Sequence, residues 1–194
     1  MNKLELAFKR FDEYNKTDPN IFTWKNESYP QEYFLALALS NWVIKLDPDA
    51  GEELLLASRC QHIGRWESPR SNYPDGREGY LAWRRDLALY HADTAGEILK
   101  SVGYAEDQVA LVQRIILKKK IKVDDEVQTM ENALCLVFLE FQYEDFFPKH
   151  DPEKIINILR KSLLKMDAHG HQFALKLPYS EQGKFFIKEA LNLL

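Results

Sequence analysis

The stretch Asp125-Glu126-Val127-Gln128-Thr129-Met130-Glu131-Asn132-Ala133-Leu134-Cys135-Leu136-Val137-Phe138-Leu139-Glu140-Phe141 decides the fold class. Its middle is apolar nearly all round, which marks a helix packed on every side, and the spacing predicts one helix over 125–146. At 100° per residue Glu131 shares a stripe with Leu134, Cys135 and Phe138, so a carboxylate points to the core. A buried carboxylate costs several kcal/mol unless a cation, donor groups or a metal meets it.

Outward from that helix the same 3.6-residue period continues, and no two-residue alternation interrupts it. The first helix carries Leu4, Phe8 and Phe11 or Leu4, Ala7 and Phe11 and stops before Asp18-Pro19-Asn20, and a loop runs on to Tyr29-Pro30. A second helix is expected from Gln31 to Lys45. Asp47-Pro48-Asp49 breaks it and begins another, which should carry Leu54, Leu55, Ser58, Arg59, His62 and Trp66. Residues 68–79 read as an irregular loop, because Pro69, Pro74, Gly76 and Gly79 punctuate them. A long helix follows from Tyr80 to Ser101 with Gly103 as its cap, then helices over 106–117, from Asp151-Pro152 onward, and from Ser180 to the end. The expectation is an all-α chain forming a single helical domain over residues 1–194.

Composition excludes several classes of function. The net charge is −4 over 194 residues, with 45% hydrophobic and 29% charged residues, which argues against DNA binding and against acidic membrane surfaces. No apolar run approaches a membrane span, and the amino terminus lacks a signal-peptide core. Two cysteines, Cys60 and Cys135, suit a reducing compartment, so the cytoplasm is the expected location.

The candidate chemistry concentrates in residues 56–95. Arg59, Arg65, Arg70 and Arg84 lie there among Trp66, Tyr73, Tyr80 and Trp83, with His62 and His91. Guanidinium forks match phosphate oxygens and aromatic rings accept a base, so Arg59, Arg65, Trp66, Arg70, Tyr80 and Arg84 are the expected substrate-binding set. Helix phase puts Arg59, His62 and Trp66 on one face and His91 on a buried stripe with Leu87, Ala95 and Ile98. Two imidazoles and the Glu131 carboxylate, brought together, would make a divalent-metal or acid–base site: His62, His91 and Glu131 are the expected catalytic and metal-binding residues. The competing reading of the same residues is a set of satisfied core histidines and a structural Glu–Arg pair. Other signals point to structure: His169-Gly170-His171 on a glycine turn in an exposed loop, Lys118-Lys119-Lys120 as a solvated helix end, and Cys60 as a buried small side chain.

The motifs themselves carry a resemblance. Arg59-Cys60-Gln61-His62-Ile63-Gly64-Arg65-Trp66-Glu67, Pro69-Arg70, Tyr73-Pro74, Gly79-Tyr80-Leu81-Ala82-Trp83-Arg84, His91-Ala92 and Val127-Gln128-Thr129-Met130-Glu131 resemble the family called domain of unknown function 4202. A more distant similarity, in the order of the histidines and the later acid, is to the all-helical HD metal phosphohydrolases. It implies an HD-like fold, with Gln61-His62 at the doublet position and Glu131-Asn132 at the position of the acid. The doublet here is not His-Asp and no histidine precedes His62, so the resemblance implies at most a mononuclear metal site. The resulting expectation is binding, or metal-assisted hydrolysis, of a phosphorylated small molecule such as a nucleotide. Its rival is a non-catalytic helical module that binds RNA or a protein partner through the 65–85 loop.

Overall fold

The structure is a computed structural model that describes residues 1–194. It is all-α apart from one small hairpin, and its residues gather into two compact units. The first comprises residues 1–41 and 49–119, the second residues 42–48 and 120–194.

In the first unit α1 (Lys3–Asn15) opens on a capping box, in which the Asn2 side chain accepts from the Glu5 amide and Glu5 answers the Asn2 amide. The segment expected as a loop then forms strands β1 (Ile21–Trp24) and β2 (Glu27–Pro30), paired antiparallel with Phe22 opposite Tyr29. The turn that joins them is Lys25-Asn26, both at positive φ (50° and 67°). That is the twist a two-residue hairpin needs, although neither residue is glycine, the usual signal. Phe22, Trp24 and Tyr29 gather round Phe34, which fastens the hairpin to α2 (Gln31–Leu46).

Helix α3 (Glu52–Cys60) begins after Gly51, not at the Asp47-Pro48-Asp49 break, and it is shorter than its apolar pattern suggests. The backbone turns at once through Ile63 N–H to Cys60 O and Arg65 N–H to His62 O, and Gly64 takes a left-handed φ of 68°. His62 and Trp66 therefore lie beyond the helix, and the single helical face expected for Arg59, His62 and Trp66 does not exist. Helix α4 (Gly76–Val102) starts four residues earlier than expected and ends at Gly103, φ 96°, whose amide reaches Leu99 O and Lys100 O. Helix α5 (Glu106–Ile116) packs on α3 and α4, and α1 packs on the same pair. The core of this unit is Phe11, Leu54, Leu56, Ile63, Leu87, Leu99, Val112 and Ile115.

The second unit is built on α6 (Asp125–Phe141), capped by the Asp124 carboxylate on the Val127 amide. Met130, Ala133, Leu136 and Leu139 are at most 1% exposed, as an all-round apolar helix requires. The expected continuation to residue 146 breaks at Gln142, and a separate turn, α7 (Tyr143–Phe146), follows. Helix α8 (Pro152–Lys165) pairs with α10 (Glu181–Asn192), and between them α9 (Ala168–Ala174) packs on α6. His169-Gly170-His171 is thus helical and not an exposed turn. Gly170 is needed because a Cβ there would stand 2.7 Å from Asn132 Oδ1. His171 Nε2 meets Leu163 O at 2.8 Å and His169 Nε2 meets Leu46 O at 3.1 Å, so both imidazoles fasten backbone.

Candidate functional site

The turn after α3 and the fifth turn of α4 place His62 and His91 side by side, ring centroids 5.7 Å apart. They line a cavity of about 250 Å³ in the first unit, shared with Gln61, Arg65, Arg84, Arg85 and Lys118 over an apolar floor of Leu87, Ala88, Ile116 and Leu117. Of the residues of this unit that line it, four carry positive charge and none is acidic.

His91 is 2% exposed. Its Nδ1 donates to Ile63 O at 2.6 Å, a carbonyl that can only accept, so the tautomer is fixed and Nε2 carries the lone pair. That Nε2 is buried without a hydrogen-bond partner in the protein, in a residue that lines the cavity. Burial, with Arg65 and Arg84 adding to it, brings the His91 pKa down to about 4 against the pull of Ile63 O. His62 is also pushed well below its ordinary value, by burial first and then by Arg65, His91, Lys118 and Arg84. Both rings are neutral at pH 7, so the cavity combines fixed cations with uncharged nitrogen acceptors.

The turn that carries His62 and Arg65 is clamped in place. Glu67 accepts from Tyr14 Oη at 2.9 Å and from Tyr90 Oη at 2.6 Å, and the two phenols touch at 3.1 Å. Gly64 lies beneath this clamp, where a Cβ would stand 2.8 Å from Tyr90 Cε1. Arg65 stretches from the turn over the Trp83 ring, 5.6 Å from its centroid, with its Nε 3.8 Å from the buried Glu32 carboxylate. Burial raises the Glu32 pKa to about 7, Arg65 lowers it in part, and Asp18 raises it further.

Several residues expected to bind substrate do something else. Arg59 is held by both oxygens of Asp12, at 2.7 and 2.8 Å, and fastens α3 to α1. Arg70 donates to Tyr73 O and Pro74 O, each at 2.8 Å, and so ties its own loop. Tyr80 is exposed with its ring against Trp83. Trp66 packs on Tyr14 and lines a neighbouring cavity with Arg65. Glu131 belongs to the second unit, is 2% exposed, and has Lys165 Nζ 3.4 Å away. No group of three or more His, Cys, Asp or Glu side chains gathers as a metal site. Two neutral imidazoles with cations on either side do not by themselves fit a divalent ion.

Beyond the expected binding set, Lys118, Arg85 and Gln61 line the cavity, and Glu32 lines the neighbouring one with Arg65. Lys118 was expected as part of a solvated helix end, but it takes a left-handed φ of 53° just past α5 and lines the cavity. Arg85 pairs with its neighbour Asp86 at 2.9 Å and also lines the cavity. Gln61 donates from Nε2 to Ile116 O at 3.0 Å, a contact with no local sequence signal. Glu32 sits in the first turn of α2, where an acid usually signals nothing more than the helix dipole.

No helix is long and apolar enough to cross a membrane. Comparison with curated proteins and with solved structures finds no match. The profile of the family described as Domain of unknown function (DUF4202) matches residues 5–187, and the chain belongs to that family.

Proposed function

We propose that the cavity between α3, α4 and α5 binds the phosphoryl group of a small phosphorylated molecule. The observation that carries this reading is the lining itself: Arg65, Arg84, Arg85 and Lys118 with no acid of the same unit among them, around the unpartnered Nε2 of His91. Arg65 and Arg85 have Glu32 and Asp86 nearby, yet those acids lie outside the lining, so the cavity itself favours an anion. At about 4 Å and an effective dielectric of about 20, each guanidinium–phosphate pair gains roughly 4 kcal/mol before desolvation is subtracted. A neutral Nε2 acceptor adds selectivity, because it takes a hydrogen bond from a ligand hydroxyl and a fully ionised anion offers none.

The same arrangement supports hydrolysis as a second step. An imidazole at about 4 is a weak base, but a bound phosphate offsets Arg65 and Arg84, two of the causes that hold it there. His91 then gains basicity as the ligand binds, and Nε2 can take a proton from an attacking water. A metal, should one take part, would enter with the phosphate, whose oxygens supply the negative ligands that the cavity of this unit lacks.

Calorimetric titration of the full chain with inorganic pyrophosphate tests the binding. Saturable binding that weakens at least tenfold in Arg65→Gln/Arg84→Gln is expected. No heat in the wild type, or equal affinity in the double variant, overturns the reading.

A further inference from the structure

A cavity of about 250 Å³ lies below the range of roughly 300–1,000 Å³ usual for small-molecule sites. It has room for a diphosphate group but not for a whole nucleotide. Arg65 also lines a second cavity of about 290 Å³, together with Asn20, Gln31, Glu32, Trp66, Arg70 and Trp83. The Arg65 guanidinium is a wall of both.

The second cavity has a different chemistry. Its deepest polar group is the Glu32 carboxylate, 3% exposed, whose nearest cation, Arg65 Nε, stands at 3.8 Å and outside hydrogen-bond reach. Asp18 gives the carboxylate no hydrogen bond but raises its pKa by its charge; it accepts from the Glu32 backbone amide at 2.9 Å and from Asn20 Nδ2 at 2.8 Å, fixing both residues in place. The Gln31 side chain donates one hydrogen bond to the carboxylate, whose two oxygens offer about four acceptor sites, so it keeps room for a pair of further N–H donors. Trp66, half-buried, supplies an aromatic wall.

Resting on the phosphoryl-binding reading, we infer that the ligand is a nucleotide whose base enters this second cavity, with its N–H edge on Glu32 and its ring against Trp66. Guanine is the base that fits best. Its N1–H and N2–H lie side by side and can meet the two oxygens of one carboxylate, as paired donors and acceptors do elsewhere. Adenine places an acceptor next to its amino group, so it would set a lone pair against Glu32. Hypoxanthine offers a single donor and should fall between them. Arg65, which lines both cavities, would reach toward the phosphates, and its charge lowers the Glu32 pKa in part.

The test is calorimetric titration of the full chain at pH 8, where Glu32 is ionised, with inorganic pyrophosphate and the diphosphates of guanosine, inosine and adenosine. Guanosine diphosphate should bind at least tenfold more tightly than pyrophosphate, with the inosine compound between and adenosine diphosphate close to pyrophosphate. Glu32→Gln should remove most of the guanosine advantage while binding pyrophosphate no more weakly than the wild type. Trp66→Leu, at a half-buried position, should lower all nucleotide affinities toward that of pyrophosphate, and it serves if Glu32→Gln does not fold. Pyrophosphate binding with no gain for any nucleotide overturns the second cavity alone, and equal gains for guanosine and adenosine overturn the role of Glu32. Failure of every compound to bind overturns the phosphoryl site as well.

Discussion

His91 in the first unit and Asn132 in the second are buried alike, each 2% exposed, yet their polar atoms meet opposite fates. Asn132 is used completely: Nδ2 donates to Asp167 Oδ1 at 2.9 Å, and Oδ1 accepts from Gln128 Nε2 and from the Asp167 amide, both at 3.1 Å. Asp167 then caps α9 through the Gly170 amide at 2.9 Å. That cluster is closed upon itself and holds a helix start to a helix side. His91 spends one nitrogen on Ile63 O and leaves the other at a cavity wall among cations. A buried polar group left open costs about 1–3 kcal/mol, and a fold bears that cost where a ligand later removes it. The difference separates polar burial that builds structure from polar burial that awaits a partner.

The largest effect should come from breaking the closed cluster. Asn132→Ala removes three hydrogen bonds, two of them involving Asp167, and should destabilise the protein by about 4 kcal/mol in urea unfolding. Pyrophosphate affinity of the folded fraction should not change. A variant that loses anion binding and keeps its stability would erase the contrast.

Next in size is the response to pH, because His91 and Glu32 pull in opposite directions. The folded pKa of His91 is lowered to about 4 from 6.5, so above 6.5 both folded and unfolded chains carry it neutral. As pH falls from 6.5 toward 4 the unfolded chain takes up a proton and the native state does not, so stability is lost, by about 3 kcal/mol. His62 acts in the same direction. Glu32 is raised to about 7 from 4.5: its contribution is full below 4.5 and is lost as pH rises through 7, again by about 3 kcal/mol. The two histidines together outweigh Glu32, so the wild type should lose stability as pH falls from 6.5 toward 4.5. Glu32→Gln should leave the histidines unopposed and become more steeply acid-labile, whereas His91→Asn, with His62 alone set against Glu32, should show a much shallower profile. Denaturant midpoints measured across that window check both slopes, and parallel profiles for the two variants would contradict the assignment.

A smaller effect is expected at Glu131. Its carboxylate faces Lys165 Nζ at 3.4 Å, and Lys165 keeps about half its side chain in water, 54%. Glu131→Gln retains the volume and loses the charge, so it should cost about 2 kcal/mol, within the range for a hydrogen-bonded charge. Thermal melts and a pyrophosphate titration on this variant separate two roles. A stability loss with intact binding makes Glu131 structural, and intact stability with lost binding would return it to the ligand site.

Much of this was legible in the chain. Helical periodicity located α4, α5, α6 and α8 to within a few residues, because each buries one apolar stripe or, in α6, most of its surface. The burial of His91 and Glu131 followed from helix phase alone. What escaped was set by the backbone leaving its pattern. Gly64 at positive φ cut short the helix that was to carry His62 and Trp66, and a glycine in Ile63-Gly64-Arg65 is compatible with either outcome. Lys25-Asn26 turned a loop into a hairpin without a glycine, and Gln142 interrupted a helix without a proline. Arginines posed a different difficulty: Arg59, Arg65, Arg70 and Arg84 look alike in sequence, and only tertiary packing tells which of them is already spent on the protein.

That division among the arginines gives the last prediction and the smallest expected change in stability. Arg70 has both of its terminal nitrogens on backbone carbonyls of its own loop, at 2.8 Å. Arg70→Gln cannot reproduce that fork, and since the loop is largely exposed the loss should be about 1 kcal/mol. Anion affinity should be unaltered, because those donors are occupied whether or not a ligand is present. Arg84 lies half-buried on the cavity wall beside Arg85 and depresses both imidazoles. Arg84→Gln removes one of four cations that repel one another, so its stability should be unchanged or slightly higher. Pyrophosphate affinity should fall about tenfold, close to 1.4 kcal/mol. The loss should shrink as salt is added, since part of the attraction acts through solvent at the rim. Measured together, the two variants form a crossed pair: one moves the unfolding midpoint and leaves binding alone, and the other does the reverse. If both instead weaken binding equally, the 65–85 segment acts as one diffuse basic surface, and the cavity has no special claim on the anion.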